Sequence, residues 1–82
     1  MVTLPAAIPA LATLRAVQSL ADREGYPPTL REVAGDRGLS VTTVHGHLDR
    51  LREDGMLTWV SGRPRTMRLT QAGRVALRGA RS

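Results

Sequence analysis

Apolar positions in the first third of the chain recur at helical spacing. Leu11, Leu14, Val17 and Ala21 fall on one face, which predicts a helix over about residues 8–24. Pro9 fits a first turn, where its missing N–H is not needed. Gly25 and the run Tyr26-Pro27-Pro28 end that helix, because prolines do not continue it and Tyr26 is pushed to extended backbone. Thr29-Leu30-Arg31-Glu32 then reads as a capping box, with the Thr29 hydroxyl accepting from the Glu32 N–H and the Glu32 carboxylate reaching back to the Thr29 N–H. It opens a second helix over about 30–37, whose apolar contacts are Val33 and Ala34. Gly38 suits a left-handed C-cap, Leu39 fills the turn, and Ser40 is a second N-cap. Val44, Leu48 and Leu51 stand at i, i+4 and i+7, an inward stripe that predicts a third helix over about 41–54, stopped by Gly55. A helix, a four-residue turn with Gly and a second helix form the helix-turn-helix signature.

Beyond Gly55 the period changes. Met56 to Val60 reads as a strand, Ser61-Gly62-Arg63-Pro64-Arg65 as a turn, and Thr66 to Leu69 as the returning strand. The hairpin spans about 56–69. Thr70 caps a last helix over about 71–78, with a weak apolar face of Ala72, Val75 and Ala76, and Gly79 to Ser82 are expected to fray. The predicted fold class is mainly α with a small β-hairpin (α+β), as one domain over residues 1–82. It is a winged helix-turn-helix: a three-helix core, a two-stranded wing and a short C-terminal helix.

Composition narrows this further. The 82 residues include no Cys and no Phe, with one Trp and one Tyr. Disulfides and thiolate metal sites are excluded, and the core must be aliphatic. No run approaches the length of a membrane span. The opening MVTLPAAIPALATL lacks the early basic residues of a secretory leader, so it reads as the lead-in to the first helix, and a cytoplasmic location is expected. The net charge is +5, carried entirely by the last third: residues 56–82 hold six Arg and no acid. Every basic residue is Arg. A GC-rich genome is the plainer cause of that bias, but Arg also binds phosphate through a planar, multi-donor head.

The outward face at the start of the third helix carries Thr42, Thr43, His45 and Gly46, after Ser40. A recognition helix sets these positions against base edges in the major groove, where Thr and His can hydrogen-bond. Gly46 is unfavourable in mid-helix, so close approach to DNA or tight packing should compensate. Arg63, Arg65 and Arg68 give the hairpin its charge, and Thr29, Arg31 and Arg50 complete a set suited to phosphates or the minor groove. Three or four such contacts predict a slope of log K against log salt near about −3. A merely solvated basic hairpin is the plainer alternative. Ser40 serves equally well as a simple cap.

Other chemistry is weak. His45 and His47 point about 200° apart on a helix and cannot share a metal. His47 lies beside the Leu48 stripe and reads as partly buried structure, and Trp59 as core or core edge. No serine has a partner base, no Lys is available and no Gly-rich phosphate loop occurs. Neither an enzyme, a cofactor nor a small-molecule substrate is expected.

GYPPTLREVAGDRGLS, VTTVHGHLDRLREDGML and WVSGRPRTMRL, together spanning about residues 11–69, resemble the N-terminal DNA-binding domain of LexA-type SOS repressors. The run Gly25 to Thr29 and the wing Val60 to Arg65 are the specific parts. The resemblance implies base contacts at Ser40, Thr42, Thr43, His45 and Gly46, and backbone contacts by the wing. The turn into the third helix is one residue shorter than in many members and the reading residues differ in type, so no operator sequence carries over. Members continue into a dimerising, self-cleaving domain with a Ser–Lys dyad. With the sequence ending at Ser82, a freestanding domain is expected, and autocleavage is not implied. Ala72-Gly73 matches the family's cleaved dipeptide but sits in a helix start.

Together these features predict a sequence-specific regulator of transcription, a repressor by the resemblance, whose partner is double-stranded DNA. One such domain offers a small interface, so a homodimer through Trp59 or the last helix, or a partner protein, is expected. The alternative is a winged-helix protein-interaction module or accessory factor of phage or mobile-element type. The acids Asp49, Glu53 and Asp54 give it weight.

Overall fold

A computed structural model describes residues 7–79, with side chains from Pro9 onward. The sequence readings for residues 1–6 and 80–82 lie outside the described residues. The elements are α1 (Ala7–Glu24), α2 (Leu30–Arg37), α3 (Val41–Glu53), β1 (Leu57–Thr58), β2 (Arg68–Leu69) and α4 (Gln71–Gly79). Helices α1, α2 and α3 pack on one another, β2 and α4 pack against α1, and β1 packs against α3.

The helix ends follow from local chemistry. The Thr29 hydroxyl accepts from the Glu32 N–H at 3.1 Å, and the Glu32 carboxylate accepts from the Thr29 N–H at 2.9 Å. This reciprocal cap satisfies two donors that a helix start leaves open. At the other end of α2, Gly38 turns left-handed at φ 67°. Its N–H bonds to the Gly35 carbonyl and that of Leu39 to the Ala34 carbonyl, a Schellman pair. The turn holds three residues, Gly38, Leu39 and Ser40, one fewer than the four read from the sequence. Leu39 is 36% exposed rather than filling that turn.

The core is aliphatic. Leu14 and Val17 of α1, Val33 of α2, Val44 and Leu51 of α3, and Leu57 of β1 are almost completely buried. Met67 and Leu69 complete it from the returning arm of the hairpin. The predicted stripe Val44, Leu48 and Leu51 is the buried face of α3, which turns Thr42, Thr43, His45 and Gly46 to solvent.

Two elements differ from expectation. The strands are two residues each, paired antiparallel with Leu57 opposite Leu69 and Thr58 opposite Arg68. Continuing that register sets Val60 opposite Thr66, and there a side chain replaces the ladder. The Thr66 hydroxyl accepts from the Val60 N–H at 2.9 Å and donates to the Arg63 carbonyl at 2.9 Å. It closes the wing loop without a third backbone pair. Helix α4 is also rotated from its predicted face. Gly73 and Leu77 are buried, whereas Ala72 and Val75 are exposed. The Thr70 hydroxyl accepts from the Gly73 N–H and donates to the Gly55 carbonyl at 2.6 Å. The Thr70 N–H bonds to the Met56 carbonyl. These bonds press the first turn of α4 against the backbone at Met56, where no Cβ fits beside Gly73.

A buried polar knot joins the first three helices. Thr13 is 0% exposed. Its hydroxyl accepts from Arg37 Nε at 3.2 Å and lies 2.8 Å from His47 Nδ1. Arg37 can only donate, which leaves the hydroxyl proton free for His47 Nδ1, and the assignment in keeping with this is the neutral ring with its proton on Nε2. Burial, and secondarily the Arg37 charge, push the His47 pKa below its ordinary 6.5. An unfolded chain therefore takes up a proton that the folded chain refuses, so the contribution of His47 is complete above about pH 6.5 and declines as pH falls through it. Thermal melts from pH 8 to pH 5 are expected to show this loss in the wild type and less of it in His47→Gln. Equal pH dependence in both would contradict the assignment.

Candidate nucleic-acid interface

Three pieces of the chain meet around one open groove: the start of α2, the first turns of α3 and the wing. Thr29, Arg31, Val41, His45, Trp59 and Arg63 line it. The α3 side is held by its cap. Ser40 Oγ accepts from the Thr43 N–H at 3.1 Å and donates to Thr43 Oγ1 at 2.9 Å. The Ser40 proton is thus engaged within the helix, while the Thr43 hydroxyl keeps a proton to donate outward.

His45 sits one turn before Asp49, with Nδ1 and Oδ2 3.2 Å apart. A carboxylate beside Nδ1 requires a proton on that nitrogen. The neutral ring then offers Nε2 as an acceptor, and the protonated ring offers it as a donor. At Gly46 an added Cβ meets nothing within 4 Å. Tight packing inside the fold therefore does not explain this glycine.

The arginines divide into two groups. Arg31, Arg63 and Arg68 are exposed and have no side-chain partner among the described residues. Arg50 pairs with Asp54 at 3.2 Å. Arg52 lies over the Trp59 ring, 4.3 Å from its centroid. That contact holds Trp59 half-buried at the edge of the core. Arg68, on the outward side of β2, lines a separate groove with Gln18, Tyr26 and Arg74. It does not converge with Arg31 and Arg63.

Arg65 differs most from the sequence expectation. Rather than projecting freely from the wing, its guanidinium makes two bonds to the Glu32 carboxylate, at 3.0 and 2.9 Å. It also donates to the Pro27 carbonyl at 3.2 Å and stacks 4.8 Å from the Tyr26 ring centroid. Its backbone is left-handed, φ 61°, the only such non-glycine among the described residues. That conformation costs about 1 kcal/mol or more in an L-residue, and these contacts oppose that cost. The Arg65 guanidinium, with the Thr29 N–H, holds the Glu32 carboxyl below its ordinary pKa. Sequence reasoning missed this pair because it joins residues 33 apart. The stacking potential of Tyr26, just before the two prolines, was the only local signal.

The described residues contain no cluster of His, Asp and Glu able to hold a metal, and no helix long and apolar enough to cross a membrane.

A three-helix core with a capped turn before an exposed third helix, followed by a short hairpin, defines a winged helix-turn-helix. The chain matches the family described as LexA DNA binding domain over residues 11–66 and belongs to it. It is similar to the LexA repressor of Limosilactobacillus fermentum, with 45% identity over 64 residues, covering 77% of this chain and 31% of that protein. The LexA repressor of Pediococcus pentosaceus is 43% identical over 68 residues, covering 82% of this chain and 32% of its own length. That of Oenococcus oeni is 44% identical over 68 residues, with the same coverage of both chains. This chain thus spans about a third of the length of the curated relatives it matches.

Proposed function

We propose that this chain is the DNA-reading domain of a sequence-specific transcriptional repressor acting on double-stranded DNA. Helix α3 enters the major groove with Thr42, Thr43, His45 and Gly46, and Ser40 fixes its first turn. Arg31 and Arg63 hold phosphates on either side, with Thr29 at the α2 start. The observation that carries this reading is the uncovered polar face at the start of α3, whose His45 lines one groove with the unpaired Arg31 and Arg63. Family membership and relatives named repressors support it. Arg68 contacts the duplex only if the DNA extends past the outer side of β2, and Arg50 only if its pair with Asp54 opens. The role is binding rather than catalysis, in the cytoplasm, as a homodimer or with a partner protein that doubles the interface.

The protein-interaction alternative rested on the acids of α3. Asp54 is paired with Arg50, which offsets its charge locally, and Asp49 is hydrogen-bonded to His45. No specific observation favours that reading.

Titration of a random 20-bp duplex over a salt series tests the backbone contacts. With Arg31, Arg63 and a third contact, log K is expected to fall with log salt at a slope near about −3. Arg63→Ala is expected to reduce that slope by about 0.9 and to weaken all sequences alike. An unchanged slope would remove the wing from the interface.

A further inference from the structure

We infer that Arg65 is a positioning residue that latches the wing to the start of α2, rather than a phosphate contact. The inference rests on the reading that α3 and the wing grip one duplex, and it assigns the wing's two outermost arginines opposite jobs.

The geometry of the latch is redundant. Two bonds to Glu32, one to the Pro27 carbonyl and a stack on Tyr26 all converge on one guanidinium. A planar fork with parallel bonds to a carboxylate fixes orientation as well as distance. Glu32 is fixed in its turn, because the same carboxylate caps the Thr29 N–H. The wing tip is thus tied to the helix cap that opens the helix-turn-helix. The strands alone hold it weakly, with two residues each, and the Thr66 hydroxyl closes the loop upon itself rather than onto the helices. Arg65 and its contacts are what connect the loop tip to the rest of the fold.

A wing held in place presents Arg63 in the groove it shares with Arg31 before DNA arrives. A wing free to swing presents it only part of the time, and the apparent affinity falls by that fraction. A latch and a phosphate contact therefore differ in salt dependence. A lost phosphate contact lowers the slope of log K against log salt by about 0.9, whereas a lost latch weakens binding at unchanged slope.

The experiment compares wild type, Arg65→Ala, Glu32→Gln, the double variant and Arg65→Lys on the same duplex. Gln preserves the capping box, so Glu32→Gln should remain folded. Arg65→Ala and Glu32→Gln are each expected to weaken binding about fivefold, the double variant no more than either single one, with the slope unchanged. Lys, a point charge without the fork, should restore only part of the loss. A slope reduced by about 0.9 in Arg65→Ala, with Glu32→Gln binding as wild type, would overturn the latch. Backbone amide relaxation by NMR on the free protein provides a readout independent of DNA. Residues 61–65 are expected to gain motion in both single variants while the amides of α1 to α3 stay rigid. A wing equally rigid in all variants would overturn the latch even if DNA binding is intact. If the wild type binds no duplex, the proposed function fails, and the relaxation data still decide the latch.

Discussion

Gly73→Ala is expected to destabilise the fold by about 2 kcal/mol or more, while Gly46→Ala, the same substitution in another helix, is expected to stabilise it by about 1 kcal/mol. The opposite signs follow from surroundings. An alanine methyl at position 73 would overlap the Met56 carbonyl, a backbone atom that cannot swing aside. Thr70 bonds to Gly55 and Met56 on the same turn, so relief requires α4 to lift and expose Leu77. A methyl at position 46 meets open space within a regular helix, and Ala loses less conformational entropy there than Gly. In a domain this small, each kcal/mol moves the melting temperature by about 4–8 °C. The Gly46 variant is also expected to bind DNA more weakly if the helix backbone approaches the groove closely at that point. A more stable protein that binds less well would place the reason for Gly46 outside the fold. Equal melting shifts for the two variants would contradict the packing at α4.

The second large effect concerns which sequence is bound. Thr42→Ala and His45→Ala are expected to change base preference at their own positions, each by about tenfold, with little change in binding to random duplex. Neither side chain supports the core: both are exposed, and the Thr42 side chain has no hydrogen bond among the described residues. For His45 the direction can be argued further. With Asp49 holding the proton on Nδ1, the neutral ring offers an acceptor that suits an exocyclic amine of adenine or cytosine. Asp49→Ala removes that bias toward one tautomer and is expected to blur the preference.

Features carried by neighbours in sequence were legible before the structure. The capping box at Thr29, the left-handed Gly38 and the stripe Val44, Leu48 and Leu51 each depend on residues a few positions apart, where spacing determines geometry. Together with the hairpin they gave the winged-helix class. Features carried by distant partners were not legible. The inward turn of Arg65 depends on Glu32, the separation of Arg68 from the groove depends on the sides of β2, and the buried face of α4 depends on the Met56 carbonyl, which lies before β1. Nothing local marks Thr13 in the sequence, and only the approach of Arg37 and His47 makes it the centre of a knot. The two-residue strands were over-read, because β-forming residues at Trp59 and Val60 gave no sign that the Thr66 hydroxyl would take the next N–H.

The central claim is that α3 chooses a DNA sequence. Equilibrium selection of duplexes from a randomised pool, at about 50 mM salt, followed by sequencing of the bound fraction, tests it most directly. Enrichment of one motif by the wild type, and of a motif altered at one or two positions by Thr42→Ala and His45→Ala, is the predicted result. A bound fraction indistinguishable from the starting pool, or one motif shared by the wild type and both variants, would contradict it.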